Sequence, residues 1–393
     1  MAILADEDSS ARPAGIRAST QYSPVLESLR GWAILLVFLF HADSAVLSAD
    51  RMGTIVSPLH AFVTAGHTGV TLFFVLSAFL LSRPFLEQGL GGRPVVLSNF
   101  FRRRILRIMP LYASVVVTAV VLCSGVPGAL LDGLRALFFV NSFTGEPATL
   151  HPYGAVWWSL ATEAQFYLFL PALGFCLASR KGRLIGLVAL LAWAAAYTGV
   201  LAHVIDLSLD TRLALAISLP GRPPAFLAGI FAAWVVLRRG DRIRALAERS
   251  AFWRNGGSDL VLISVLWTLG LVLRAVTRMG FFPAENNWHV WHLAESVSWT
   301  LVVLIASLAP LRVRALVSNR ALAGIGVLSY SLYLVHGPVL SFFLRPMQAT
   351  LREDTTLWAG ATVVGFAACL ALSAATYRWI ERPFLVRKAR IDR

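Results

Sequence analysis

LRGWAILLVFLFH, residues Leu29–His41, is an apolar run with an arginine near its start and a histidine at its end. At 3.6 residues per turn, the spacing from Arg30 to His41 is almost three full turns, so both side chains lie on one helical face. Ionisable groups inside a bilayer are costly, and they face a bundle interior or a water-filled cavity where they mark a functional path. A snorkelling arginine at a helix end beside one hydrogen-bonded histidine is the plainer account of the same pair.

The rest of the chain has the composition of a membrane protein. Of 393 residues, 57% are apolar and 14% charged, with a mean hydropathy of +0.68, which leaves too little polar surface for a soluble globule of this size. Stretches able to cross a hydrocarbon core of ~30 Å lie at 29–48, 62–82, 109–125, 154–178, 183–203, 223–237, 258–278, 292–309, 323–345 and 356–380. They predict an all-α polytopic membrane protein of about ten transmembrane helices. With the amino terminus inside, segments 1–28, 83–108, 179–183, 238–257, 310–322 and 381–393 hold 25 Lys and Arg, and the segments on the other side hold 5. Positive residues collect on the cytoplasmic side, so both termini are expected there. The net charge of +14 is then a topology signal that requires no nucleic-acid partner. The expected divisions are a polar cytoplasmic tail over 1–22 with no cleaved signal, a transmembrane domain over 23–385 and a basic cytoplasmic tail over 386–393. Cys123, Cys176 and Cys369 lie in apolar runs without CxxC or Cys/His spacing, so packing roles are expected, with no disulfide framework and no metal.

Polar groups interrupt the apolar pattern at matched depths. At 1.5 Å per helical residue, His41 lies ~12 Å and Glu163, in WWSLATEAQFYL (Trp157–Leu168), ~14 Å from the outer edge. His336, in GVLSYSLYLVHGPV (Gly326–Val339), also falls in the outer half. A carboxylate beside an imidazole is a general-base unit, although a Glu–His pair can equally serve to pack helices. FFRRRILRIMPLY (Phe100–Tyr112) sets Arg104 and Arg107 three apart on one face, a pattern that suits a bound phosphate or a positive-inside anchor.

Together these segments resemble the acyltransferase 3 family of bacterial integral-membrane O-acyltransferases. The resemblance runs from about Tyr22 to Leu385 and includes HTGVTLFFVLSAFL (His67–Leu80), RPPAFLAG (Arg222–Gly229) and YRWIERPF (Tyr377–Phe384) in their expected order. Two departures are Ala78, where Ser-Gly-Phe is usual, and Thr71, where a polar or acidic residue often stands. Some members carry a further hydrolase-like domain after the bundle, and none is expected here.

The resemblance implies transfer of an acyl group, usually acetyl, from cytoplasmic acyl-CoA to a hydroxyl of a glycan, lipid-linked sugar or secondary metabolite. Arg30, Arg104 and Arg107 lie near the cytoplasmic edge, where the phosphates of acetyl-CoA or another acyl-CoA can be held. The thioester then arrives near His41, which either deprotonates the acceptor hydroxyl or takes the acyl group itself, with Glu163 orienting the ring. Ser159, Tyr330 and Tyr333 are candidate oxyanion donors, and Tyr167 and His336 further residues lining the site. Arg378 and Glu381 are expected to form an ion-pair network bracing the coenzyme mouth. His60, His67, His151, His203, His289 and His292 fall near outer ends, where His292 and Glu295 suit an acceptor entrance. A cell-surface or exported polysaccharide, or its lipid-linked precursor, is the expected acceptor, with a glycosylated antibiotic-like metabolite as the alternative. The expected setting is the bacterial inner membrane. The competing class is a secondary transporter for a lipid-linked sugar, against which no inverted repeat is visible; a purely structural scaffold is the third reading.

Overall fold

The structure, a computed structural model, describes residues 23–46, 57–144, 148–202, 207–279 and 288–389. The expected 1–22 tail, residues 390–393 and His203 lie outside the described residues. All elements within them are helical. The helices that build the bundle are α1 (Pro24–Val46), α2 (Thr68–Gly89), α3 (Leu97–Leu122), α4 (Trp157–Ala178), α5 (Arg180–Ala202), α6 (Pro223–Arg249), α7 (Ser258–Met279), α8 (Trp288–Leu308), α9 (Arg320–Val327), α10 (Ser329–Leu344) and α11 (Thr355–Thr376). Each apolar stretch read from the sequence falls on one of these, except that 62–82 begins in a short helix over Pro58–Thr64 before α2, and 323–345 is divided between α9 and α10.

Among the described residues, eight helices are long and apolar enough to cross a membrane, and nine if the pair bent by 65° at α9 and α10 is one span. The expected tenth, 223–237, does not qualify. Its apolar run of fifteen residues covers ~22 Å of helix, and Arg238, Arg239, Asp241, Arg242 and Arg244 follow within the same α6. A second correction concerns α3, which starts at Leu97 rather than near 109, so Arg103, Arg104 and Arg107 belong to a continuous helix. Phe100, 3% exposed, anchors that extension against Phe85.

The apolar windows of α2 and α1 are 72% and 61% buried while that of α5 is 6% buried, so α1 and α2 form the core and α5 faces outward. Between membrane helices close approach depends on small residues, because lipid offers no hydrophobic drive for association. Gly31 of α1 lies against the Leu322 backbone, and Gly326 of α9 against the Glu27 carbonyl; a Cβ at either would overlap that backbone. Ser28 Oγ donates to Asn319 O at 3.1 Å, and Asn319 Oδ1 caps α9 by accepting from Leu322 N at 2.8 Å. These contacts hold α9 on α1, and the bend that follows lays α10 along the face of α1 that carries Arg30 and His41.

Candidate active site

A cavity of about 650 Å³ opens at the arginine-rich end of the bundle. Its walls carry Arg30, Arg83, Arg103, Arg104, Arg107 and Lys388 against the carboxylates of Glu27, Glu87 and Glu163. Six cations facing three anions make a site that draws a polyanionic ligand. Arg30 donates to Ser329 Oγ from Nε and Nη2 at 3.4 and 3.3 Å, and its Nε lies 3.8 Å from Glu27. Arg107 Nη1 donates to Glu381 Oε2 at 3.2 Å, and its guanidinium lies 5.5 Å from the centre of the Tyr330 ring. Ser331 Oγ also hydrogen-bonds Glu381. The Nε groups of Arg83 and Arg104 are buried with no hydrogen-bond partner. Buried donors are ordinarily paired, so two unsatisfied guanidinium N–H groups lining one cavity fit an anion held there.

Deeper in the same cavity, Ser77 Oγ donates to Glu163 Oε1 at 2.5 Å, and Tyr167 is hydrogen-bonded to the same carboxylate. Past that point the polar groups continue along α10. Tyr330 hydroxyl donates to Ile108 O at 2.7 Å. Tyr333 hydroxyl lies 2.7 Å from Ser159 Oγ and donates to Val156 O at 3.0 Å. The next turn carries His336, whose ring centre is 4.8 Å from that of His41.

The two imidazoles constrain each other. His336, fully buried, places Nδ1 3.1 Å from Leu332 O, which requires a proton on Nδ1 and leaves Nε2 as an acceptor. His41 Nδ1 lies 2.8 Å from Val37 O and 3.2 Å from His336 Nε2. A single Nδ1–H shared between those acceptors satisfies both contacts. His41 is thereby fixed as the tautomer whose Nε2 carries a free lone pair, the form a general base or nucleophile needs.

A second buried polar group lies beyond His41. Phe40 packs edge-on to both the His41 and His67 rings, with centres 5.0 and 5.9 Å away. His67 Nε2 is 3.6 Å from Glu295 Oε1, and Thr71 Oγ1 donates to Glu295 Oε2 at 3.0 Å. Close by in the fold, Arg222 Nη1 lies 2.9 Å from His292 Nδ1 and the guanidinium stacks 5.2 Å from the Trp158 ring centre.

A family model described as Acyltransferase domain (Acyl_transf_3) matches residues 24–378. The chain belongs to this acyltransferase family. It is 28% identical over 387 residues to "Acyltransferase MdmB" of Streptomyces mycarofaciens, which covers 92% of this chain and 91% of that one. It is 23% identical over 402 residues to "Peptidoglycan O-acetyltransferase OatA" of Listeria monocytogenes, covering 93% of this chain and 56% of the relative. No solved structure matches. The protein is thus a membrane-embedded acyltransferase of a family that uses acyl-CoA, and this membership sets the transporter and scaffold readings aside.

With the acyltransferase bundle in view, the expected site residues divide into two levels. Arg30, Arg104, Arg107, Glu163, Tyr167 and Tyr330 line the cavity; His41, His336, Tyr333 and Ser159 lie past its end. The expected Glu163–His41 pair is not formed: among the described residues His41 is held by Val37 and His336, and Glu163 by Ser77 and Tyr167. The reason is azimuthal, since Glu163 points to the arginines of α3. The expected Arg378–Glu381 network is also corrected. Arg378 is exposed, and the partner of Glu381 is Arg107. As oxyanion donors Tyr330 and Tyr333 are compromised, because each directs its proton to a backbone carbonyl. Sequence reasoning missed Ser77, Arg83, Arg103 and Lys388. The three basic residues are visible in the sequence only as topology charges, and Ser77 only as one letter of the segment from His67 to Leu80. Thr71, given no role from the sequence, holds Glu295.

Proposed function

We propose that the protein transfers an acyl group, acetyl in the simplest case, from cytoplasmic acyl-CoA to a hydroxyl of a cell-surface or exported polysaccharide or its lipid-linked precursor in the bacterial inner membrane. The observation that carries this reading is the arrangement of a cationic cavity at one end of α1 and α10 and, further along the same two helices, an imidazole with a free Nε2. The phosphates of the coenzyme lie among Arg30, Arg83, Arg103, Arg104 and Arg107, on the side that the Lys and Arg distribution makes cytoplasmic. Arg30 to His41 spans ~16 Å of helix, a distance within reach of an extended pantetheine arm.

At His41, Nε2 takes the proton of the acceptor hydroxyl as its oxygen attacks the thioester carbonyl. The carbon–sulfur bond breaks, the sulfur takes the proton back from the imidazolium, and the products are the ester and the coenzyme thiol. A route through an acyl-imidazole uses the same nitrogen as nucleophile and the same contacts to Val37 and His336. The name of the Listeria relative supports a glycan acceptor. Mass spectrometry of surface glycans from a deletion strain and its parent tests this: loss of an acyl ester from a glycan supports it. Unchanged glycans with an acyl ester missing from a small secreted metabolite would assign the alternative acceptor.

A further inference from the structure

The cavity stops at a definite layer. Its deepest walls are Ser77 on α2, Leu160 and Glu163 on α4 and Tyr330 on α10. One turn further from the arginine-rich end, the same three helices present Phe73, Ser159 and Tyr333, and these side chains close on one another. Ser159 Oγ and the Tyr333 hydroxyl are 2.7 Å apart, the hydroxyl is also tied to Val156 O at 3.0 Å, and the Phe73 ring sits edge-on with centres 6.1 Å apart. Tyr333 and Ser159 are 6% and 5% exposed. On the far side the Tyr333 ring centre is 5.7 Å from His336, which touches His41. The same boundary shows on α1, where Glu27 and Arg30 line the cavity while Ile34 and Val37, the next turns toward His41, are fully buried.

On the reading that acyl-CoA occupies this cavity and His41 acts on its thioester, the acyl group has to pass this layer. We infer that the Phe73–Ser159–Tyr333 plug is the acyl-size selector of the enzyme, with Tyr333 as its principal residue. The hydroxyl bonds of Tyr333 go to Ser159 on α4 and to Val156 just before it, so they part without disturbing either helix, and a group of a few atoms can slip between Tyr333 and Ser159. The ring has no such freedom, because Phe73 and His336 flank it. Each further methylene of the acyl chain meets that ring, and a closed apolar site discriminates by about tenfold or more per methylene.

The test uses inverted membrane vesicles, which present the cytoplasmic face and the native membrane acceptors, supplied with acetyl-, butanoyl- or hexanoyl-CoA. Release of coenzyme thiol is measured against vesicles carrying the His41→Ala protein as blank. The wild type is expected to prefer acetyl-CoA to hexanoyl-CoA by tenfold or more, and Tyr333→Ala to narrow that gap at least tenfold. Tyr333→Phe, which keeps the ring and loses only its bonds, retains the preference. Should Tyr333→Ala not accumulate in the membrane, Phe73→Ala, which removes the other ring of the plug, is expected to narrow the gap as well. A wild type indifferent to chain length, or an unchanged preference in the alanine variant that accumulates, overturns the inference and leaves the function intact. Wild-type vesicles that release no thiol above the blank from any acyl-CoA would overturn the reading on which it rests.

Discussion

Two imidazoles 4.8 Å apart invite the question of which one takes the proton, and on the mechanism proposed above their substitutions should differ in rate. Of the two rings, His41→Ala removes the one whose contacts leave Nε2 with a free lone pair. General-base catalysis is worth about 10²–10⁴-fold, so kcat should fall by that factor. His336→Phe keeps a ring of similar size in the same packing and removes only the acceptor 3.2 Å from His41 Nδ1. The 2.8 Å contact to Val37 O remains to hold the ring. One lost hydrogen bond costs about 0.5–1.5 kcal/mol, equivalent to a fall of about 2- to 12-fold. Acyl-CoA affinity should be near wild type in both variants, since the cationic cavity lies ~16 Å away along α1. The assay is acyl transfer in vesicles at saturating acyl-CoA, with affinity measured by calorimetry on the purified proteins. If His336→Phe abolishes transfer while His41→Ala retains substantial activity, the tautomer argument is wrong and His336 is the base.

Four other outcomes are expected. Arg104→Lys and Arg107→Lys keep the charge but lose the two-pronged guanidinium, so acyl-CoA affinity should drop in calorimetry while the proteins still insert; unchanged binding in both would make this arginine pair a topology anchor. Glu163→Gln removes one of the three anions that face the six cations of the cavity, so acyl-CoA affinity in calorimetry should hold or rise, and a fall in kcat alone would return Glu163 to the side of His41. Glu381→Gln strips the partner from Arg107 in a buried pair; because Arg107 is 20% exposed, the destabilisation should lie toward the low end of about 3–5 kcal/mol, read from thermal unfolding in detergent. In a background with the three cysteines replaced by serine, Ser124→Cys should react with an impermeant thiol reagent added outside cells and Arg242→Cys should not; the reverse pattern refutes cytoplasmic termini.

What the sequence disclosed and what it withheld follow from what a helix encodes. Hydropathy fixes which residues are helical and roughly how deep they lie, and on that basis it singles out His41, His336, Arg104 and Arg107. It does not fix azimuth between helices. Glu163 and His41 were matched by depth, yet α4 begins at Trp157 rather than 154, and its carboxylate turns toward Ser77 and Arg104. The charge ladder likewise merged two kinds of arginine. Arg242 is exposed on the outside of α6, whereas Arg83 and Arg103, counted with it, line the cavity. Only tertiary packing separates them.

The meeting of His41 with His336 shows which short-range features carry such long-range information. It depends on Gly31 and Gly326, each seated against the other helix's backbone, and on the bend after Val327 that directs α10 along α1. Both were visible in the sequence, the glycines as letters within the quoted segments and the bend as nothing more than Leu328 between two helical runs. A larger residue at Gly31 would have to displace the Leu322 backbone, and α9 would move away from α1. Since α10 continues from α9, His336 would withdraw from His41 Nδ1 and Ser329 from Arg30, loosening both levels of the site together. Gly31 has no polar group to offer a substrate. Its place in the segment from Leu29 to His41 is explained by packing alone, and the geometry of the His41 imidazole depends on it as directly as on His336.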